Sequence, residues 1–143
     1  MNKLSGWDDT IVALATAPGI GAIGVIRLSG EKSFSIINTL FPSKNLLQQP
    51  SHTLHVGFLK EEETILDEVV VSLYKGPRSY TGEDVVEISC HGSPFVQQQI
   101  INACIKSGVE IISIPRKSIS NDLKEAVNVI PQRIKKISVK YSA

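Results

Sequence analysis

The stretch DEVVVSLYKGPRSYTGEDVVEISCHGSP, residues 67–94, decides how the rest of the chain is read. Its two short apolar runs, 69–73 and 85–90, are rich in β-branched residues, which favours strands over helices. The segment between them, KGPRSYTG at 75–82, is punctuated by Gly76, Pro77 and Gly82 and reads as a loop, so the whole forms a β-hairpin pattern. Side chains alternate along a strand, which puts Val86, Ile88 and Cys90 on one face of the second run and Val85, Glu87 and Ser89 on the other. Glu87 is therefore a carboxylate in mid-strand. Burying it is costly unless it is paired or hydrogen-bonded, so N–H donors are expected opposite it.

Upstream, residues 10–17 (TIVALATA) read as a buried strand that Pro18 ends. Gly19, Gly21 and Gly24 then match G-x-G-x-x-G, but a dinucleotide site needs a helix directly afterwards and an acidic residue about 20 positions on. Neither is present, and VIRL at 25–28 looks like another strand, so a tight turn between strands is expected. Ser29-Gly30-Glu31-Lys32-Ser33 superficially looks like a phosphate loop, yet Glu31 separates Gly30 from Lys32 and breaks the spacing. Ser29 is instead read as the N-cap of a helix carrying Phe34, Ile37, Leu40 and Phe41 on one face and stopped by Pro42.

Downstream of a polar loop at 43–51, residues 52–60 alternate, with Leu54, Val56 and Phe58 on one face, and His52 and His55 are read as strand-surface histidines. The acidic EEET at 61–64 reads as a turn. Ser93 and Pro94 suit the N-cap and first position of a second helix, Gly108 its C-terminal cap, and a last strand is expected over 109–114. Cys90 and His91 are neighbours in a strand and point to opposite faces, so a nucleophilic dyad is not expected. Mixed helices and strands without a strict β-α repeat favour an α+β fold.

The 143 residues suffice for one domain with its own core. No apolar run approaches the length of a membrane span, and MNKLSGWDDT lacks the apolar centre of a secretory signal. Cys90 and Cys104 carry no metal-ligand spacing and read as buried reduced thiols, which fits a cytoplasmic protein. The net charge of +1 conceals an asymmetry: residues 1–114 hold 8 Lys/Arg against 12 Asp/Glu, residues 115–143 hold 7 against 2. A body (1–114) and a divergent basic tail (115–143) are expected. In the tail, Leu123, Val127, Ile130, Ile134 and Ile137 recur at near-helical spacing, interrupted by Pro131. Contact with RNA is one reading, and a helix packed on the body or on a second copy is the other.

Two segments, DTIVALATAPGIGAIGVIRLSG (9–30) and LDEVVVSLYKGPRSYTGEDVVEISCHGSP (66–94), closely resemble the N-terminal domain of the MnmE (TrmE) family of bacterial tRNA modification GTPases. The resemblance covers about residues 9–109. It implies an α+β fold, a mixed β-sheet with two to three helices, related to the tetrahydrofolate-binding domains of one-carbon enzymes. It also implies a homodimer and binding of 5-formyltetrahydrofolate or a related reduced folate. In the full-length family it implies action with the flavoprotein partner MnmG on the wobble uridine of tRNA, using GTP and potassium.

Two folate-contacting positions carry over from the resemblance: Arg27 in IGVIRLSG and Glu87 in TGEDVVE. A carboxylate can accept paired hydrogen bonds from the amino and ring N–H groups of a pterin, and a guanidinium can make charge-assisted bonds to a carbonyl or carboxylate. The plainer reading pairs the two residues only with each other. After Gly108 the sequence departs from the family pattern, and the family's further folate-contacting lysine has no counterpart that can be placed. The 143 residues carry no GTPase motif, so GTP hydrolysis is not expected, nor any catalytic or metal-binding residue. A non-catalytic assembly module with a vestigial folate pocket is the alternative.

Overall fold

The computed structural model describes residues 10–108, 110 and 111. In chain order these form β1 (Ile11–Leu14), β2 (Ile23–Ser29), α1 (Ser33–Leu40), a 3-10 turn (Leu46–Gln48), β3 (Thr53–Glu61), β4 (Thr64–Tyr74), β5 (Val85–His91), α2 (Pro94–Lys106) and β6 (Glu110–Ile111). The sheet order is β3-β4-β5-β2-β1-β6. Five strands are antiparallel to their neighbours, and β6 runs parallel to β1. The α+β expectation holds. The basic tail at 115–143 and most of the strand expected at 109–114 lie outside the described residues.

Register assigns the two faces of the sheet. Val12 pairs with Leu28, Leu28 with Val86 and Val86 with Leu73, and all four are fully buried. This face receives both helices, which contribute Phe34, Ile37 and Leu40 from α1 and Ile100, Ala103 and Cys104 from α2 to one core. The opposite face carries Arg27, Glu87, Ser72 and Leu54 in one row of partners. Among the described residues no helix covers it.

Helix α2 follows the expected pattern. The Ser93 hydroxyl accepts from the Val96 N–H at 3.5 Å, Pro94 opens the helix, and Gly108 takes a φ of +101° beyond its end. Helix α1 differs at its start. Lys32, not Ser29, occupies the N-cap position, and no side chain caps it. The strand β2 runs on through Ser29, whose buried hydroxyl serves the 75–84 loop instead of the helix.

The strand β3 departs from its sequence pattern twice. The sequence marks Leu54, Val56 and Phe58 as an apolar face, and the structure turns them away from the helices, at 67%, 63% and 43% exposure. His55 points the other way and is buried, so only His52 fits the surface reading. The Lys44 ammonium approaches His55 Nδ1 at 3.4 Å, and His55 Nε2 lies 2.8 Å from the Thr53 hydroxyl. An ammonium can only donate, so Nδ1 is the acceptor and Nε2 carries the proton. Burial first, and then the Lys44 charge, push the His55 pKa down.

Candidate ligand-binding site

The two adjacent central strands β2 and β5 place Arg27 directly opposite Glu87. Arg27 is fully buried, and the Glu87 side chain is 14% exposed. Two donors of Arg27 converge on one carboxylate oxygen, Nε at 3.0 Å and Nη2 at 2.5 Å from Oε1. The expected donors therefore do sit opposite the mid-strand carboxylate. Oε2 accepts nothing among the described residues, which leaves half of the carboxylate's acceptor capacity for another donor.

A row of aromatic rings extends from this pair. The Tyr80 ring lies over the Arg27 guanidinium, 4.8 Å from Cζ to the ring centroid. Tyr80 and Tyr74 are 6.1 Å apart between centroids, and Tyr74 and His52 are 5.3 Å apart in an edge-on arrangement. Tyr74 follows Ser72 by two residues on β4 and so shares the open face with Glu87. Burial, then the Glu87 charge, raise the Tyr74 pKa, so its hydroxyl stays protonated. His52, Tyr74, Arg78, Ser79 and Tyr80 line a cleft of about 350 Å³.

The loop bearing Arg78 and Tyr80 is fastened to the body. The Ser29 hydroxyl donates to Glu83 Oε2 at 2.9 Å and meets the Thr81 hydroxyl at 2.8 Å. With its proton given to the carboxylate, Ser29 must accept from Thr81. The Asp84 carboxylate accepts from the Gly76 N–H, and its backbone carbonyl accepts from the Gly30 N–H and the Ser33 hydroxyl. The Ser79 hydroxyl also donates to the Glu83 carbonyl within the loop.

These contacts settle the two glycine segments. In Gly30-Glu31-Lys32-Ser33 the Gly30 N–H goes to the Asp84 carbonyl, the Lys32 N–H to the Thr10 hydroxyl and the Ser33 N–H to the Gly30 carbonyl. A phosphate loop needs such amides free to face its ligand. In the 19–24 segment, the Gly21 N–H donates to the Gly92 carbonyl at 3.0 Å and the Gly92 N–H to the Ala22 carbonyl at 3.2 Å. The segment is a turn locked onto the end of β5, as the missing helix implied.

A second groove, of about 290 Å³, lies further along the open face, between Val56, Val70, Ile23, Glu68 and Ser89. At its rim His91 Nδ1 and Asp67 Oδ1 are 2.7 Å apart. Cys90 points into the core instead, so Cys90 and His91 form no dyad. Burial pushes the Cys90 thiol up to about 11 and the Cys104 thiol up to about 12. Both are free and buried, as read from the sequence. No metal-ligand cluster occurs among the described residues, and no described helix is long and apolar enough to cross a membrane.

The sequence singled out Arg27 and Glu87, and the structure brings them together. It missed Tyr74, Tyr80 and Arg78. Tyr74 was readable from alternation, since it ends the strand beside Glu87. Tyr80 and Arg78 sit in a loop whose fold depends on partners about fifty positions away, at Ser29 and Gly30.

The family model described as "GTP-binding protein TrmE N-terminus" matches residues 10–113. Over 100 residues the chain is 58% identical to the tRNA modification GTPase MnmE of Cytophaga hutchinsonii, covering 70% of this chain and 22% of that protein. Its MnmE relative in Flavobacterium johnsoniae is 55% identical over 103 residues, with the same coverages. That of Streptococcus mutans is 45% identical over 103 residues, covering 72% of this chain and 23% of that protein. The chain thus spans under a quarter of the length of these relatives, and the family match contains β2, β5 and the loop between β4 and β5. On this match across most of its length, the chain belongs to the TrmE N-terminal family.

Proposed function

We propose that the chain is a reduced-folate-binding, dimerising domain that serves a tRNA wobble-uridine modification GTPase together with the flavoprotein MnmG. The observation that carries the reading is the Glu87 carboxylate, held by Arg27 through one oxygen while Oε2 accepts nothing among the described residues, on the sheet face that also bears the Tyr74 ring of the aromatic cleft. A pterin offers adjacent N–H donors that suit a carboxylate, and a flat face that suits Tyr80 and Tyr74. The ligand of this reading is 5-formyltetrahydrofolate or a related reduced folate.

Titration calorimetry with 5-formyltetrahydrofolate tests it. Glu87→Gln keeps the size but turns one acceptor into a donor that faces the pterin's donors. Loss of a hydrogen bond to a charged group is worth about 1.5–3 kcal/mol, or roughly 10- to 100-fold in affinity. Because the substitution also removes the Arg27 partner, Tyr80→Leu serves as a second variant that leaves the ion pair in place. Equal folate affinity in the wild type and in both variants refutes the assignment.

The exposed Leu54, Val56, Phe58 and Ile65 favour a companion reading, a homodimer across the open face. An assembly module with a vestigial pocket would use the same surface. Sedimentation equilibrium at high micromolar concentration is expected to give twice the chain mass. A single chain mass there refutes the dimer.

A further inference from the structure

The open face of the sheet carries an apolar lane that crosses its strands. Val25, Ser89, Val70 and Val56 are register partners in one row. The Ala15 N–H donates to the Val25 carbonyl at 2.7 Å, which sets Ala15 at the β1 end of that row. Strands lie about 4.8 Å apart, so the lane runs for about 19 Å from β1 to β3. Val56, Val70 and Ser89 also line the 290 Å³ groove, and the exposed Ile23 wall of that groove extends its apolar surface.

The direction of β6 leads to this lane. It runs parallel to β1, and β1 runs antiparallel to β2, so Glu110–Ile111 points towards the end of the sheet where β2 begins at Ile23 and β5 stops at His91. Residues 112–143 follow, and the lane starts one strand spacing away, far inside their reach. In the sequence the apolar positions from Leu123 to Ile137 recur at near-helical spacing, and at about 1.5 Å per residue that stripe is about 21 Å long, the length of the lane. The charges match as well. Arg133, Lys135, Lys136 and Lys140 crowd the C-terminal part of the segment, which has no acidic residue after Glu125. On the body, Glu68 lines the groove, and Glu61, Glu62 and Glu63 stand where β3 turns into β4, at that same end of the sheet.

We propose that the basic segment 123–137 docks on this lane of its own chain, and that it contends there with a second copy. The proposal makes no use of the folate reading. It goes beyond the dimer reading by giving Val56 two rival covers, one within the chain and one outside it. The apolar stripe supplies the contact area, and the Glu68 side sets the direction of the segment by opposite charge.

The experiment uses the full chain with two introduced thiols, Val56→Cys and Ile134→Cys, and a short bis-maleimide, read by mass spectrometry. The expected product is a link within one chain, independent of protein concentration, weakened at high salt and lost when Ile130→Asp is added. Val56 is exposed, so its substitution leaves the core intact. A link only between two chains, or no link, overturns the proposal. Sedimentation equilibrium of the wild type and of Ile130→Asp with Ile134→Asp is the second measurement. Both chains must be uncovered to pair, so a face left free about one third of the time weakens association about 10-fold, and the double variant is expected to dimerise more tightly by that factor. Equal dimer constants overturn the proposal. If neither protein associates while the link within one chain forms, the docking stands and the dimer reading alone falls.

Discussion

Replacing Gly92 with alanine puts a methyl group where the chain has already placed another backbone. The added Cβ would lie 2.0 Å from the Gly21 carbonyl oxygen, 2.4 Å from its carbon and 3.0 Å from Gly21 Cα. All three atoms are main chain, so no side-chain rotation relieves the clash. The end of β5 and the 19–24 turn have to separate, which breaks the Gly21-to-Gly92 and Gly92-to-Ala22 hydrogen bonds. Two such bonds contribute about 1 kcal/mol each, and overpacking of a tight contact adds about 1–2 kcal/mol. A loss of about 3–4 kcal/mol lowers the melting temperature by roughly 10–15 °C for a domain of this size. Gly21→Ala, on the other side of the same bonds, is the control. Its Cβ meets only the Ile23 carbonyl, at 3.8 Å, an ordinary contact. That variant is expected to stay within about 2 °C of the parent. Calorimetric or circular-dichroism melts of the three proteins decide the matter. A Gly92→Ala protein that melts with the parent refutes the interlock. Equal losses in both variants would show that the turn needs glycine for its backbone angles, not for close approach.

The two thiols are expected to be inert in the native protein. With pKa values of about 11 and about 12, alkylation of Cys90 and Cys104 by iodoacetamide at pH 8 runs at least ~100-fold below that of a free cysteine, and urea restores both. Native reactivity at the free-thiol rate would contradict the burial argument. His55 predicts a pH dependence of stability. Its pKa is lowered in the fold, so the unfolded chain holds the proton more readily. Its contribution is full above its ordinary value of 6.5 and is lost as the pH falls from there towards the lowered folded value. The urea midpoints of wild type and His55→Gln are expected to draw together between pH 7 and pH 5, and divergence would reverse the sign.

Much of this architecture is written in local patterns. The β-branched run at 85–90 made a strand of β5, and strict alternation put Glu87 on the face away from the core. Ser93 and Pro94 marked the start of α2 because a cap works through neighbours within one turn. Ser29 misleads for the same reason in reverse, since it resembles a cap by position while its partners, Thr81 and Glu83, are distant in sequence. His55 misleads because a histidine in an alternating strand carries no sign of which face the helices will cover. The apolar Leu54, Val56 and Phe58 would ordinarily mark that face, and here they mark the open one. The site was half legible: its ion pair and Tyr74 come from strand positions, Tyr80 and Arg78 from a loop shaped by contacts across the fold.

The fastening of the 75–84 loop has a consequence for how tightly the cleft can hold anything. A loose loop would give up conformational freedom each time it closed on a ligand, and the binding free energy would be diminished by that ordering cost. Here the cost is met during folding, through Ser29, Gly30 and Ser33 at the corner between β2 and α1. Affinity is thereby linked to a corner that lines no part of the cleft. Loosening it, as Ser29→Ala would, leaves every cleft side chain in place and returns the loop's entropy to the free protein. Binding would then weaken although every group that meets the ligand is unchanged.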